Sequence, residues 1–317
     1  MSTDDKNWER GTIEQLAFAS LKEQRTARRW GIFFKILGFL YVAFIFVSVG
    51  GLSFLGMGKT GPDKKHSALV ELRGVIEASG SNNGDHLNAA LANAFKDENS
   101  VGVILRVNSP GGSPVQSGIV YDEIKRLRAL HPEKPLYVVV EDICASGGYY
   151  IASAADKIYV DKASIVGSIG VLMDGFGFTG TMEKLGVERR LLTAGANKAF
   201  MDPFSPVNEE HKAFTQSLLT DIHGQFIDVV KKGRGKRLKE TPETFSGLMW
   251  TGAKSIELGL TDGYGTVDSV ARDVLKAETV IDYTEKDNIA DRLAKRFGAS
   301  VGSVIVDRVA PQIGTMR

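Results

Sequence analysis

The chain has 317 residues, 43% apolar and 24% charged, with a formal net charge of +1 and a single cysteine. Such a length fits one main domain of about 220 to 250 residues plus attachments, and the apolar content is enough for a large core. Near-neutral charge gives no electrostatic case for nucleic acid as a partner, and one cysteine, Cys144, excludes an internal disulfide.

Residues 1–29 are highly charged and read as a cytoplasmic tail, mobile or weakly helical. Residues 36–55 (ILGFLYVAFIFVSVGGLSFL) hold only apolar residues, glycine and serine. Twenty helical residues at about 1.5 Å each reach roughly 30 Å, the hydrocarbon thickness of a bilayer, so a single transmembrane anchor is expected within 30–57. Lys22, Arg25, Arg28, Arg29 and Lys35 before it outnumber Lys59, Lys64 and Lys65 after it. That bias puts the N-terminus inside and the remainder outside, which is the periplasm in a Gram-negative bacterium. The long polar lead and the lack of an A-x-A site favour an uncleaved anchor over a signal peptide. A polar linker at 58–66 separates the anchor from a domain at 67–280, and 281–317 form a C-terminal segment.

Beyond the linker, strands and helices alternate: strand 68–76, helix 85–95, strand 101–107, helix 115–130, strand 135–140, helix 147–155, and short strands near 157–161 and 187–192. This βα alternation with right-handed crossovers predicts an α/β core. A long amphipathic helix at 208–232 ends in Lys231, Lys232, Arg234, Lys236 and Arg237, a solvated surface or a patch for anionic lipid or a partner. A further short helix is expected at 287–296. Metal-ligand spacing and phosphate loops are missing, and the GxG fragments at 175–180 lack the dinucleotide pattern, so no cofactor is expected.

Two turns carry chemistry. The strand at 135–140 runs on through Cys144, read as a buried core thiol, to Ser146-Gly147-Gly148, so Ser146 sits at a strand end beside a helix N-terminus with free N–H groups. By itself this also reads as an N-cap serine with two turn glycines. The strand at 101–107 runs into Asn108-Ser109-Pro110-Gly111-Gly112. If the two strands are neighbours, amides of Gly111 or Gly112 face the Ser146 hydroxyl and the Gly147 amide completes an oxyanion hole; a Pro-Gly turn closing a βα unit is the plainer reading.

A serine nucleophile needs a base. His66, His86, His131, His211 and His223 are none of them in a convincing place for a triad. Lys198 lies in an unusually uncharged stretch, 191–201, where desolvation would favour the neutral amine, although a solvated loop lysine is the plainer reading. Ser168, in Gly167-Ser168-Ile169-Gly170, is a hydroxyl placed to orient that amine or simply a turn serine.

NSPGG (108–112), ASGGYYIA (145–152), GSIGV (167–171), the Gly-x-x-Lys ending at Lys198 and WTGAKSIELGLTDGYG (250–265) together resemble the signal peptide peptidase A family, the S49 serine peptidases, over about residues 66–280. The resemblance implies the spiral Clp/crotonase-like fold of βα units. It implies Ser146 as nucleophile, Lys198 as general base, Ser168 as the residue positioning the lysine, and Gly111 and Gly112 as oxyanion donors beside Gly147. It also implies a homo-oligomer whose sites are shared between subunits, in the bacterial inner membrane. Substrates would be cleaved signal peptides and similar apolar, extended segments. Ser255 is one departure, where many members carry alanine. The expectation is therefore a membrane-anchored serine endopeptidase. Its rivals are a catalytically silent membrane scaffold of the same fold and, less well supported, a crotonase-like acyl-CoA enzyme.

Overall fold

A computed structural model describes residues 3–46, 64–80 and 82–285. The chain divides into two units, residues 1–60 with 289–317, and residues 61–288.

In the first unit, helix α1 (Thr3–Phe46) is continuous. The charged tail is thus helical throughout its described part and runs straight into the apolar stretch. Trp30, Phe33, Phe34, Phe39 and Phe44 are exposed along it. The expected span is described only as far as Phe46, and 47–55 lie outside the described residues. Among the described residues no helix is long and apolar enough to cross a membrane. The helix expected at 287–296 also lies outside the described residues.

The second unit is an α/β domain built on one sheet. Its strands are β1 (His66–Arg73), β2 (Ser100–Ser109), β3 (Leu136–Ala145), β4 (Lys157–Val160), β5 (Ile165–Gly167), β6 (Met249–Thr251), β7 (Gly263–Tyr264) and β8 (Val280–Asp282). The main path runs β6-β5-β3-β2-β1-β8, with β4 and β7 branching from β3. All pairs are parallel except β5 with β6. Both faces of the central strands are buried, which is why their sequence reads as nearly unbroken apolar runs. Val103, Leu105, Val107, Val138 and Val140 point to the main core, where they meet Leu91, Phe95 and Ile124. Leu69, Ile104 and Val139 point to the other face, under Val270 and Ala271.

Helices α2 (Gly84–Lys96), α3 (Pro114–Leu130), α4 (Gly147–Ala152), α5 (Thr179–Lys184), α6 (Glu209–Arg234) and α7 (Gly252–Glu257) follow the strands. Their starts are set by side chains that take orphan N–H groups: Asn83 Oδ1 accepts from His86 N–H (2.8 Å), Ser113 Oγ from Gln116 N–H (3.3 Å) with Pro114 next, and Asn208 Oδ1 from Glu210 N–H (2.8 Å). Segment 187–192 is not a strand. It lies exposed and pairs with no strand, so its alternation of apolar residues has no sheet to join.

The basic run at the end of α6 turns inward. Arg234 is buried and pairs with Asp262 (2.9 Å), Arg237 binds the other Asp262 oxygen (3.0 Å), and Lys231 pairs with Glu240 (2.8 Å). Two arginines of that run are therefore structural. Ser255 is buried too, its hydroxyl donating to Gly252 O (2.8 Å) and sharing a bond with Thr261 Oγ1 (2.7 Å), so the extra oxygen in place of alanine is satisfied.

Candidate active site

β2 and β3 are hydrogen-bonded neighbours, with Ser109 opposite Cys144, so their C-terminal turns lie side by side. Ser146 stands between β3 and α4 at φ 50° and ψ −124°, a conformation that favours glycine. Its side chain caps nothing, which removes the N-cap reading. Its N–H donates to Gly167 O (2.9 Å), and its carbonyl accepts from Tyr150 N–H (2.9 Å). The backbone is thereby held on both sides while the hydroxyl remains uncommitted. Such a position costs about 1–3 kcal/mol, and glycine relieves it. Ser146→Gly is accordingly expected to melt higher than Ser146→Ala, by roughly 2–4 °C for each kcal/mol recovered. Both variants lack the Ser146 hydroxyl, so equal melting temperatures would show that the backbone there is unstrained.

The neighbouring turn is in direct contact. A Cβ on Gly111 would sit 2.7 Å from both Gly147 N and Ser146 Cβ, and one on Gly112 would sit 2.0 Å from Ile76 O. Glycine is required at both places by space as well as by φ values of 104° and 150°. The two glycines differ in role. The Gly111 N–H is taken by Ser109 Oγ (3.1 Å) and Gly111 is buried, so it is not available to an oxyanion. Gly112 and Gly147 line the groove, and neither amide donates a hydrogen bond among the described residues. A Cβ on Gly147 would lie 3.3 Å from Gly112 N, which puts the two free amides close together.

Ser168, at φ 51°, follows β5 and is fixed through its N–H to Leu248 O (2.8 Å). It lines the same groove of about 780 Å³ as Ser146, with Val115, Tyr150, Leu172, Ile222 and Phe226 among the walls. Among the described residues, no side chain lining the groove is a carboxylate, lysine, arginine or histidine. Burial, with a smaller push from Asp122, raises the Tyr150 hydroxyl above its ordinary value, so it stays neutral. Burial likewise raises the Cys144 thiol, which is therefore inert although it stands two residues before Ser146.

Lys198 does not line this groove. It is exposed, in a turn whose Lys198 N–H donates to Gly195 O (3.1 Å), and the desolvated setting expected for it is not supplied by its own chain. The turn is fastened to α6: His211 Nε2 donates to Asn197 Oδ1 (3.1 Å) and its ring lies 4.9 Å from Phe200. His223 Nε2 donates to Ile169 O (3.0 Å), beside Ser168. These two histidines, and the α6 wall of Ile222 and Phe226, are the parts that sequence reasoning missed. Only a helical period pairing residues 222 and 226 on one face hinted at the wall.

The model of peptidase family S49 matches residues 128–280. A protein named signal peptide peptidase SppA from Enterococcus faecium is 33% identical over 237 residues, covering 70% of this chain and 68% of its own length. The chain belongs to peptidase family S49. A protein of Brucella melitensis named Na(+)/H(+) antiporter NhaA is 40% identical over 252 residues, 78% of this chain, and the chain spans only 34% of that protein's length. Among solved structures, a ClpP1 mutant from Listeria monocytogenes aligns over 62% of this chain and 90% of its own at TM-score 0.39 and 12% identity, a likeness too distant to define the fold.

Proposed function

We propose that the chain is a membrane-anchored serine endopeptidase, with Ser146 as nucleophile and Lys198 as general base, cutting cleaved signal peptides and similar apolar, extended peptides. The observation that carries this reading is Ser146 itself: a strained serine on a strand-to-helix turn, its hydroxyl uncommitted, beside the free amides of Gly112 and Gly147 in a groove without charge. Neutral Lys198 takes the Oγ proton as Ser146 attacks the scissile carbonyl carbon, and the amides hold the oxyanion. The ammonium returns its proton to the leaving amine as the C–N bond breaks, leaving an acyl-serine. Water, deprotonated by the same lysine, then attacks the acyl carbon, the bond to Ser146 Oγ breaks to free the acid, and the lysine returns the proton to Oγ.

A lysine can do this only when desolvated. Leu172, Phe176, Leu185, Leu192 and Val207 stand exposed on the same stretch of chain as Lys198, and such uncovered apolar side chains favour assembly with further copies. In that homo-oligomer the lysine of one subunit serves the serine of its neighbour, and Ser168 orients the amine. The anchor holds the assembly in the bacterial inner membrane with the peptidase domain outside. The spiral arrangement of βα units belongs to the same proposal. A fluorophosphonate probe should label the assembled chain at Ser146 and leave Ser146→Ala unlabelled; undiminished labelling of the variant would contradict the assignment.

A second reading, a catalytically silent membrane scaffold, draws on one observation. A 252-residue stretch of this chain is 40% identical to about a third of a longer protein that is named an antiporter. The probe separates the two, because a scaffold has no activated serine to label.

A further inference from the structure

We propose that Ser109, the last residue of β2, is a positioning residue for the oxyanion site; this rests on the peptidase reading above. Ser109 is fully buried. Its hydroxyl donates to Gly74 O at the end of β1 (2.6 Å) and accepts from Gly111 N–H (3.1 Å). Its backbone lies against the nucleophile's helix, since a Cβ on Gly148 would stand 3.2 Å from Ser109 O and 3.4 Å from Ser109 Cβ. One side chain therefore touches the ends of two strands and the oxyanion turn, and its backbone touches α4.

The orientation of the Gly112 amide depends on the two peptide planes that flank Gly111. The plane after Gly111 is held by its carbonyl, which accepts from Ile76 N–H (2.8 Å). In a trans peptide the N–H points opposite to the C=O, so this bond turns the Gly112 N–H away from Ile76. Among the described residues the plane before Gly111 is held by one hydrogen bond, to the Ser109 hydroxyl. Glycine has the widest backbone freedom of any residue, and among the described residues the Ser109 bond holds the plane before Gly111 as the Ile76 bond holds the plane after it. Ser109 thus keeps the Gly111 amide out of the site and, together with the Ile76 bond, sets the Gly112 amide in it.

The test uses the full, assembled chain and two matched ligands: a peptide aldehyde and the corresponding peptide alcohol. Ser146 Oγ adds to the aldehyde carbon, its proton passes to Lys198, and the resulting oxyanion needs the amides; the alcohol forms no such bond. Removing an oxyanion donor costs about 100- to 1,000-fold in kcat, so misaligning one in Ser109→Ala should cost roughly 10- to 100-fold, with KM nearly unchanged. Affinity for the aldehyde should fall by the same factor while that for the alcohol holds. A merely structural role would weaken both ligands alike or shift KM. If Ser109→Ala does not fold, Ser109→Cys keeps the volume with a weak acceptor and carries the same comparison. An active parent with a folded, indifferent variant overturns the role of Ser109. A parent that neither cleaves peptide nor takes up aldehyde overturns the peptidase reading, and this inference with it.

Discussion

Ser146→Ala and Lys198→Ala should each lower kcat by about 10⁴- to 10⁶-fold while leaving the assembly and its melting temperature near those of the parent. Removing the nucleophile or its base disables one unit, so the double variant should be no worse than either single one. The structural effects are small because Lys198 is exposed in its own chain and the Ser146 hydroxyl makes no cap hydrogen bond among the described residues. Steady-state kinetics beside size-exclusion profiles check this. A Lys198→Ala variant with more than about a hundredth of parental kcat would remove the lysine from the mechanism, since general-base catalysis alone contributes that much or more.

Asp262→Asn should lower stability by about 3–5 kcal/mol, because it leaves the buried Arg234 guanidinium without its counter-charge. The same carboxylate accepts from Ile158 N–H (2.7 Å) at the start of β4, and the adjoining Leu260 carbonyl accepts from the Tyr149 hydroxyl of α4 (2.7 Å). The loss therefore reaches the helix that follows Ser146. Burial alone would push the Asp262 carboxyl up; the hydrogen bond and charge of Arg234, with the Ile158 N–H and Arg237, outweigh it and hold the carboxyl below its ordinary value. A carboxyl depressed in the folded state adds stability above its unfolded pKa of about 3.9, and that contribution fades as pH falls through the folded value. The gap between parent and Asp262→Asn should thus be full above about pH 5 and shrink below about pH 4. Urea melts across that range check it, and a gap that stays constant into acid would show that the ion pair is not the cause.

Much of the domain was legible because its signals are local. The apolar run at 101–107 with its turn after Ser109, and the glycines after Ser146, announce strand, turn and helix within a dozen residues of chain. The expected adjacency of the two turns is present in the β2–β3 pairing, and Ser146, Gly112, Gly147 and Ser168 do share one groove. Contacts between distant segments were not legible. Arg234 read as part of a basic surface because its partner Asp262 lies 28 residues away. Gly111 read as an oxyanion donor because spacing does not show that Ser109 takes its amide. The apolar residues of 187–192 looked like a strand because side-chain pattern carries no information about whether a pairing edge is within reach. Lys198 is the deepest case: its stretch alone reads more plainly as a solvated loop lysine, which matches its exposure in its own chain, and the role of base comes from the resemblance.

The most direct measurement is to mix the two inactive variants. Ser146→Ala and Lys198→Ala chains, co-assembled at equal amounts, place an intact serine beside an intact lysine of the neighbouring subunit in about one site in four if the site is shared. The shared-site account predicts recovery of roughly a quarter of parental peptidase activity on mixing. No recovery from a mixture shown to co-assemble would mean that serine and lysine do not meet across subunits, and the central claim would fall.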